Sequence, residues 1–186
     1  MRSAPRYLKC ILAVAFAGAI AVSIQARAVT LNFSATLTDG TCTLSLNKST
    51  LPLGTVSQFQ LRPNNLAAPQ PFILTVQGCT GSGSSTLKPA VTVTGPGSFQ
   101  DGKWLFRNAA STTNAGVLVI QSLSVPDYSQ PEVQNNGVIS LGNPGAVPAD
   151  QQLTFYAGAS CGGSSGCASV MTGDLTATLM FTFAYQ

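Results

Sequence analysis

Cysteine is the residue type in this 186-residue chain whose chemistry is easiest to anticipate. Cys10 lies immediately before an N-terminal apolar run. Four more cysteines follow: Cys42, Cys79, Cys161 and Cys167. In an oxidising compartment an even count favours disulfides, and four cysteines allow three pairings. A zinc site is the competing interpretation, but the chain has no histidine and its cysteine spacings match no zinc-finger pattern. We therefore expect disulfides, and neither a metal nor another cofactor.

The residue types that support catalysis are scarce. Without histidine there is no ordinary Ser-His-Asp or Cys-His arrangement. The six carboxylates are scattered through loops, and the sequence places no two of them together as an acid–base pair. The glycine-rich stretches precede no predicted helix, so they do not indicate phosphate-binding loops. We expect that the protein is not an enzyme.

The first 28 residues have the features of a secretory signal peptide. Three basic residues precede an uninterrupted apolar run over residues 11–22, and Ala26-Arg27-Ala28 supplies the small residues of a cleavage site. The run is too short to span a bilayer comfortably, so we expect no stable membrane insertion. Residues 1–28 are predicted to be removed on export, which leaves residues 29–186.

Charge in the exported part indicates no charged partner. Four of the nine basic residues leave with the signal, and the remaining five are outnumbered by six acidic residues, giving a net charge of about −1. No basic surface for nucleic acid or anionic lipid is predicted.

Residues 29–186 are predicted to be all-β. Apolar and polar residues alternate, and turn residues separate the apolar stretches, whereas no window shows sustained helical periodicity. After an N-terminal strand near residues 31–37, strands are predicted at 43–46, 55–61, 72–76, 90–94, 116–122, 137–141 and 153–157. Many short strands in a chain of this length indicate one sandwich or barrel of antiparallel sheets.

The final segment is the most regular in the sequence. Apolar residues occupy every second position to the end of the chain: Leu175, Ala177, Leu179, Phe181, Phe183 and Tyr185. The positions between them are mostly polar, with Met180 and Ala184 as the exceptions. Because terminal residues fray unless they are held, a strand with this pattern is expected to pack in the core.

Five stretches, in their order along the chain, resemble the chaperone–usher pilins. They are the alternating segment from Leu31 to Cys42, Leu53-Gly54-Thr55-Val56, the run from Pro71 to Cys79, the run from Asn114 to Ile120, and Gly173 followed by the penultimate Tyr185. The resemblance implies an incomplete immunoglobulin-like β-sandwich that lacks its last strand and is completed by a donated strand. It divides the chain into a signal peptide (1–28), an N-terminal donor-strand extension (29–41) and a pilin domain (42–186).

The resemblance also implies which residues take part in assembly. The donor strand spans Val29 to about Thr38 and inserts Leu31, Phe33, Ala35 and Leu37 into a neighbouring subunit. The recipient strand begins near Gly173 and ends at Gln186, whose carboxylate the family's periplasmic chaperone grips with basic residues. The implied partners are that chaperone, an outer-membrane usher and neighbouring pilus subunits. The implied location is a cell-surface fimbria reached through the periplasm, with a role in cell adhesion.

The resemblance bears on the cysteines too. Cys42 and Cys79 stand where the family's disulfide joins the first strand to a later one, which leaves Cys161 to pair with Cys167. The second pair departs from the commonest pilin pattern, and we interpret it as a staple of the loop before the last strand.

Two alternative interpretations remain at this point. The chain is also compatible with a minor tip or adaptor subunit, or with a single-domain adhesin that binds a host glycan. For the adhesin, Trp104, Tyr128 and Tyr156 are candidate sugar-binding residues.

Overall fold

The computed structural model describes residues 40–81 and 83–186. The predicted signal peptide and the predicted donor strand, with Leu31, Phe33, Ala35 and Leu37, lie outside the described residues. Within the described part, no helix is long and apolar enough to cross a membrane.

Nine strands and one short helix make up the described part. In chain order they are β1 (Thr41–Leu46), β2 (Ala67–Thr80), β3 (Pro89–Thr94), β4 (Gly97–Gln100), β5 (Lys103–Phe106), β6 (Gly116–Gln121), β7 (Gly137–Ser140), β8 (Gln151–Ser160), α1 (Ser164–Ala168) and β9 (Met180–Tyr185).

The strands form two antiparallel sheets. The larger sheet has the order β1-β2-β8-β6-β5-β4, and the smaller has the order β7-β3-β9. In the larger sheet Phe72 of β2 lies opposite Phe155 of β8, and in the smaller Val91 of β3 lies opposite Phe183 of β9. The prediction of an all-β protein built from antiparallel sheets is confirmed.

One apolar core joins the inner faces of the two sheets. Phe155 and Val119 of the larger sheet and Val91 and Val93 of the smaller sheet are almost entirely buried within it. The rings of Phe72 and Phe155 stack at 5.2 Å, and the ring of Phe181 lies 5.8 Å from that of Phe155. Because each fully buried side chain of this size contributes about 1.5–3 kcal/mol, this core holds the sheets face to face.

The predicted strand at 55–61 is wrong. Gly54 has a φ of 72°, which breaks the extended path, and Gln60 N–H donates to the Ser57 carbonyl at 2.9 Å to close a turn. The Gln60 side chain also accepts from Ser57 N–H at 2.8 Å. Residues 55–61 form a loop, in which the side chain of Phe59 is 87% exposed.

Other elements differ from the predicted ones in extent. The hairpin of β4 and β5 was not predicted, although Asp101 and Gly102, with φ of 49° and 81°, form the Asp-Gly turn typical of tight hairpins. The helix α1 was not predicted either. β2 begins at Ala67, before the predicted start, and β8 extends to Ser160. β9 begins only at Met180, although the apolar alternation starts at Leu175.

Two disulfides are present. Cys42 of β1 and Cys79 of β2 are joined with their Cα atoms 4.1 Å apart, which agrees with the predicted first pair. The structure also joins Cys161 and Cys167, with Cα atoms 4.9 Å apart, so that a small loop ends in α1.

Removing the two bridges should have unequal effects on stability. The first closes a loop with a sequence separation of 37 and the second one of 6, so chain entropy predicts losses of about 4 and about 2.4 kcal/mol. We expect Cys42→Ser/Cys79→Ser to lower the free energy of unfolding more than Cys161→Ser/Cys167→Ser, as measured by denaturant titration. Equal losses would contradict the loop-entropy account.

Candidate functional site

A long apolar groove of about 1090 Å³ runs between the two sheets. Its first wall is residues 48–56, which follow β1, and its second wall is residues 170–181, which lead into β9. Its floor is the inner face of the larger sheet.

The floor is built from side chains that strand alternation turns inward. Phe72 of β2, Val119 of β6 and Ala157 of β8 lie at its middle, and Ala115 and Ala159 lie towards one end. Because none of these side chains carries a polar group, the floor favours an apolar occupant.

The first wall separates from the larger sheet just after β1. Asn47 makes the last ladder contacts, donating from its N–H to the Ile73 carbonyl at 3.1 Å and accepting from Ile73 N–H at 2.8 Å with its side chain. Beyond it, Leu51 and Leu53 are half-buried and alternate with exposed Pro52 and Gly54. The groove therefore opens at the point where the chain after β1 separates from β2.

The second wall carries the apolar residues of the final alternation. They are half-buried rather than buried, and pack on the core with one side: Leu175, Ala177, Leu179, Phe181 and Phe183. The expectation that this strand packs in the core is therefore only half right, because its inward face borders both the core and the groove.

The backbone of the second wall has one free edge. Lys88 and Gln186 exchange both backbone hydrogen bonds at 2.8 and 3.0 Å, so antiparallel alternation turns the backbone groups of Ala184, Thr182 and Met180 towards β3. Phe181, Phe183 and Tyr185 turn theirs the other way. Nothing in residues 40–81 or 83–186 pairs with them there.

The same alternation continues before β9. Asn108 N–H donates to the Thr176 carbonyl at 2.8 Å and Thr112 N–H to the Asp174 carbonyl at 2.9 Å. These bonds occupy one side of the segment, so the backbone groups of Leu175 and Ala177 face the groove. The free edge thus spans residues 175–185, about 36 Å of extended chain.

Polar side chains that the sequence analysis did not identify hold the second wall in place. Ser111 Oγ accepts from Thr176 N–H and donates to its carbonyl, both at 3.0 Å. Further along, Thr113 Oγ1 donates to the Met171 carbonyl and Asn114 Oδ1 accepts from Met171 N–H at 2.8 Å. No sequence signal marks these contacts, because each joins residues more than fifty positions apart.

The second disulfide loop supports the same wall from outside. Gln100 Nε2 donates to the Cys161 carbonyl at 2.8 Å, and Gly166 N–H donates to Asp101 Oδ2 at 2.8 Å. The loop is therefore docked on the β4–β5 hairpin. The chain leaves it at α1 and reaches Met171 within three residues.

Tyr185 anchors the last strand. Its hydroxyl lies 3.1 Å from the Gly81 carbonyl and 3.2 Å from the Ala146 carbonyl, to which it donates. Its ring packs so closely on Gly40 and Gly83 that a Cβ at either glycine would collide with it. The penultimate tyrosine thus fastens the end of β9 to three loops.

The two residues that bound the predicted recipient strand are also placed by close contacts. Gly173 packs against Thr112, where a side chain would clash, and Asp174 N–H donates to Thr112 Oγ1 at 2.8 Å. Gln186 is held by its backbone pairing with Lys88, and its Nε2 donates to Thr92 Oγ1 at 3.1 Å.

Two of the three candidate sugar-binding aromatics, Trp104 and Tyr128, do not share a site; Tyr156 of β8 lies opposite Ile120 of β6. Trp104 packs towards the core shared by the sheets, whereas Tyr128 packs with Leu105 and Ile120 in a separate cluster on the other face of the larger sheet. Burial, with smaller contributions from Asp101 and Glu132, raises the pKa of Tyr128.

The charged pair beside these aromatics has a structural role. Lys103 Nζ lies 3.0 Å from Glu132 Oε2. Burial alone would raise the pKa of Glu132, but hydrogen bonds outweigh it and lower the pKa; they come first from Gln134, then from the backbone of Glu132 itself, Lys103 and the Trp104 N–H. Within the described part of the chain, no three or more His, Cys, Asp or Glu residues are grouped so that they could hold a metal ion.

Comparison with solved structures bears on the fold. The P pilus rod subunit PapA, in its crystal structure, matches with a TM-score of 0.51 and 18% identity, covering 84% of this chain and 100% of that one. A chain from the structure of a chaperone–usher pilus, solved to explain rod uncoiling, matches with a TM-score of 0.50 and 16% identity, covering 88% of this chain and 99% of that one. This chain has the fold of pilus rod subunits.

The comparison confirms, at the level of fold, the predicted likeness to chaperone–usher pilins and the predicted immunoglobulin-like sandwich. No protein-family model and no curated protein matches the chain.

Loss of the Tyr185 hydroxyl should weaken the end of β9. Tyr185→Phe keeps the ring on Gly40 and Gly83 but removes the donor to Gly81 and Ala146, so we expect the free energy of unfolding to fall by about 1 kcal/mol in denaturant titration. Tyr156→Phe is the control, since its hydroxyl has no protein partner in the described part of the chain. A loss no larger than the control's would mean that the hydroxyl does not anchor the strand.

Proposed function

We propose that this protein is a structural subunit of a chaperone–usher pilus and that its groove receives a strand from a neighbouring subunit. The observation that carries the proposal is the free backbone edge at residues 175–185 beside an apolar groove. A strand added there gains backbone hydrogen bonds from the edge, and its alternate side chains gain apolar contacts from the floor.

Residues 29–38 have the pattern that such a groove requires. Their ten residues reach about 33 Å when extended, which matches the free edge. Leu31, Phe33, Ala35 and Leu37 share one face of that strand, and the opposite face is polar. A strand with one apolar and one polar face suits a groove that is apolar below and open to water above.

The direction of the chain at its first described residues favours donation to another molecule. Gly40 is close to extended, with a φ of 159°, and lies against Thr80 and Tyr185 at the end of the free edge where β9 terminates. The chain that precedes it would have to reverse to enter its own groove. We therefore propose that residues 29–38 enter the groove of a neighbouring subunit.

An open edge over an apolar groove needs protection before assembly, because unpaired edges promote aggregation. In the proposed pathway a periplasmic chaperone lends the first strand, and its basic residues bind the carboxylate of Gln186. At the outer-membrane usher the segment 29–38 of the next subunit replaces that strand. The product is a cell-surface fimbria that contributes to adhesion.

Nothing in the structure favours the adhesin alternative. Its candidate residues Trp104 and Tyr128 pack on different faces of the larger sheet. The proposed role also requires no catalysis.

The first test places a charge on either face of the donor segment. Phe33→Asp would bring a carboxylate into the apolar groove at a cost of several kcal/mol, so we expect its incorporation into fibres to fall strongly. Ser34→Asp adds the same charge on the opposite face and should be incorporated nearly as well as wild type. Sheared fibres from cells that express each variant, quantified by mass spectrometry, give the comparison. Equal incorporation of both variants would contradict the proposal that residues 29–38 are the donor strand.

The second test supplies the strand within one chain. A copy of residues 29–38 joined after Gln186 by a short flexible linker should pair with the free edge at an effective concentration in the millimolar range. We expect the fused chain to be a soluble monomer with a raised midpoint of thermal unfolding, whereas the unfused chain aggregates. A fused segment carrying Phe33→Asp is the matched control. If the unfused chain is a stable monomer and the addition leaves its midpoint unchanged, the groove does not need a strand.

A further inference from the structure

Two exposed apolar side chains flank one end of the groove, here called the distal end and made of residues 57–62 and 170–173. Phe59, 87% exposed, stands between Gln58 and Leu61, which line the first side of the groove. Met171, 58% exposed, lines the other side. Asn64 N–H donates to the Gly162 carbonyl at 2.9 Å, which ties the loop after Phe59 to the segment that leads to Met171.

The end of the free backbone edge at Tyr185, here called the proximal end, is where the described chain begins. Gly40 contacts Tyr185 there, and the Tyr185 hydroxyl bonds to Ala146. The next residue, Val147, is 48% exposed. Each subunit thus has exposed apolar side chains at the distal end of the groove and another beside the proximal end of the free edge.

A donated strand can enter the groove in either direction, and the structure favours one. Every strand pair in the two sheets is antiparallel, and antiparallel pairing is slightly more stable per residue. An antiparallel donor ends at the distal end. A parallel donor would end at the proximal end, where the acceptor's own extension departs from Gly40, and the two chains would compete for space.

The connection between the donor strand and the donor's folded body is short. The predicted strand ends near Thr38 and β1 begins at Thr41, so Asp39 and Gly40 separate them. Three Cα steps span at most about 11 Å. The body of the donor must therefore lie against the distal end of the acceptor.

We infer that Phe59 and Met171 form a docking surface for the proximal end of a second copy of this chain, with Val147 of that copy opposite them. The inference rests on the proposed function, because the donated strand is what brings the two copies together. The contact is head-to-tail, since the two surfaces lie at opposite ends of each subunit. Repetition of such a contact builds an open fibre.

The surface adds affinity to that of the strand itself. A large apolar side chain that becomes buried at the centre of a contact is commonly a hot spot, worth at least tenfold in affinity. Phe59 is suited to this role because its exposure in the free subunit leaves most of its surface available.

The experiment separates the strand from the surface by offering the acceptor two ligands. One is a fluorescent peptide of residues 29–38. The other is a donor copy of the mature chain whose own groove is filled by a strand fused after Gln186. The acceptors are mature chains that carry Phe33→Asp to suppress their own donation, with or without Phe59→Ser/Met171→Ser. They are immobilised apart from one another on a sensor surface, so that their open grooves cannot aggregate. Leu123→Ser, at a residue 91% exposed and after β6, is the control for loss of an exposed apolar side chain.

We expect all three acceptors to bind the peptide within twofold of one another. We expect the donor copy to dissociate from the double variant at least about tenfold faster than from the other two. Val147→Ser in the donor should accelerate dissociation from the unmodified acceptor similarly. Phe59→Ser alone repeats the test at a side chain too exposed to be needed for folding.

Two outcomes would overturn the inference, and they differ in what they leave standing. Equal dissociation of the donor from all acceptors, with normal peptide binding, removes the docking surface and leaves the strand-donation proposal intact. Failure of the unmodified acceptor to bind either ligand removes both. Loss of peptide binding in the double variant would assign Phe59 and Met171 to the groove itself and also refute a separate surface.

Discussion

The structure depends on one unmet requirement, the pairing of the backbone edge at residues 175–185. On one side this segment bonds to β3, to the Asn108 backbone and to the Ser111 side chain; on the other, the described part of the chain supplies no strand. The same missing strand explains why Leu175, Leu179 and Phe181 are half-buried although they pack on the core. Backbone and side chains therefore lack the same neighbour, and one extended segment with alternating apolar residues would satisfy both.

The walls must be held open for such a segment, and short polar contacts do this rather than packing. A groove with apolar walls would gain free energy by closing on itself. Asn47 fixes the point at which the first wall leaves β2, while Ser111, Thr113 and Asn114 bind the backbone of the second wall. The Cys161–Cys167 loop, docked on the β4–β5 hairpin through Gln100 and Asp101, restrains the same wall from behind.

The sequence predicted the parts of the fold that alternation controls. The all-β class, most strands and the Cys42–Cys79 pair followed from period-two patterning and from likeness to pilins. The loop at 55–61 was mistaken for a strand because its side chains alternate, although Gly54 and the Ser57–Gln60 turn prevent pairing. The Asp101-Gly102 dipeptide is typical of a tight hairpin and was a sequence signal for the hairpin of β4 and β5. The contacts of Thr112, Thr113 and Asn114 could not be predicted, since they join residues more than fifty positions apart.

In a fibre, the Cys42–Cys79 disulfide would transmit mechanical load from β1 to β2. Tension carried along the fibre would enter each subunit through Gly40 and pass at once into β1, an edge strand that hydrogen bonds alone would allow to peel away from β2. The bridge lies two residues after Gly40, so the load passes covalently to β2, which pairs with β8 along most of its length. Stretching would then be borne by β2 and β8 in the interior of the larger sheet rather than by the hydrogen bonds between β1 and β2.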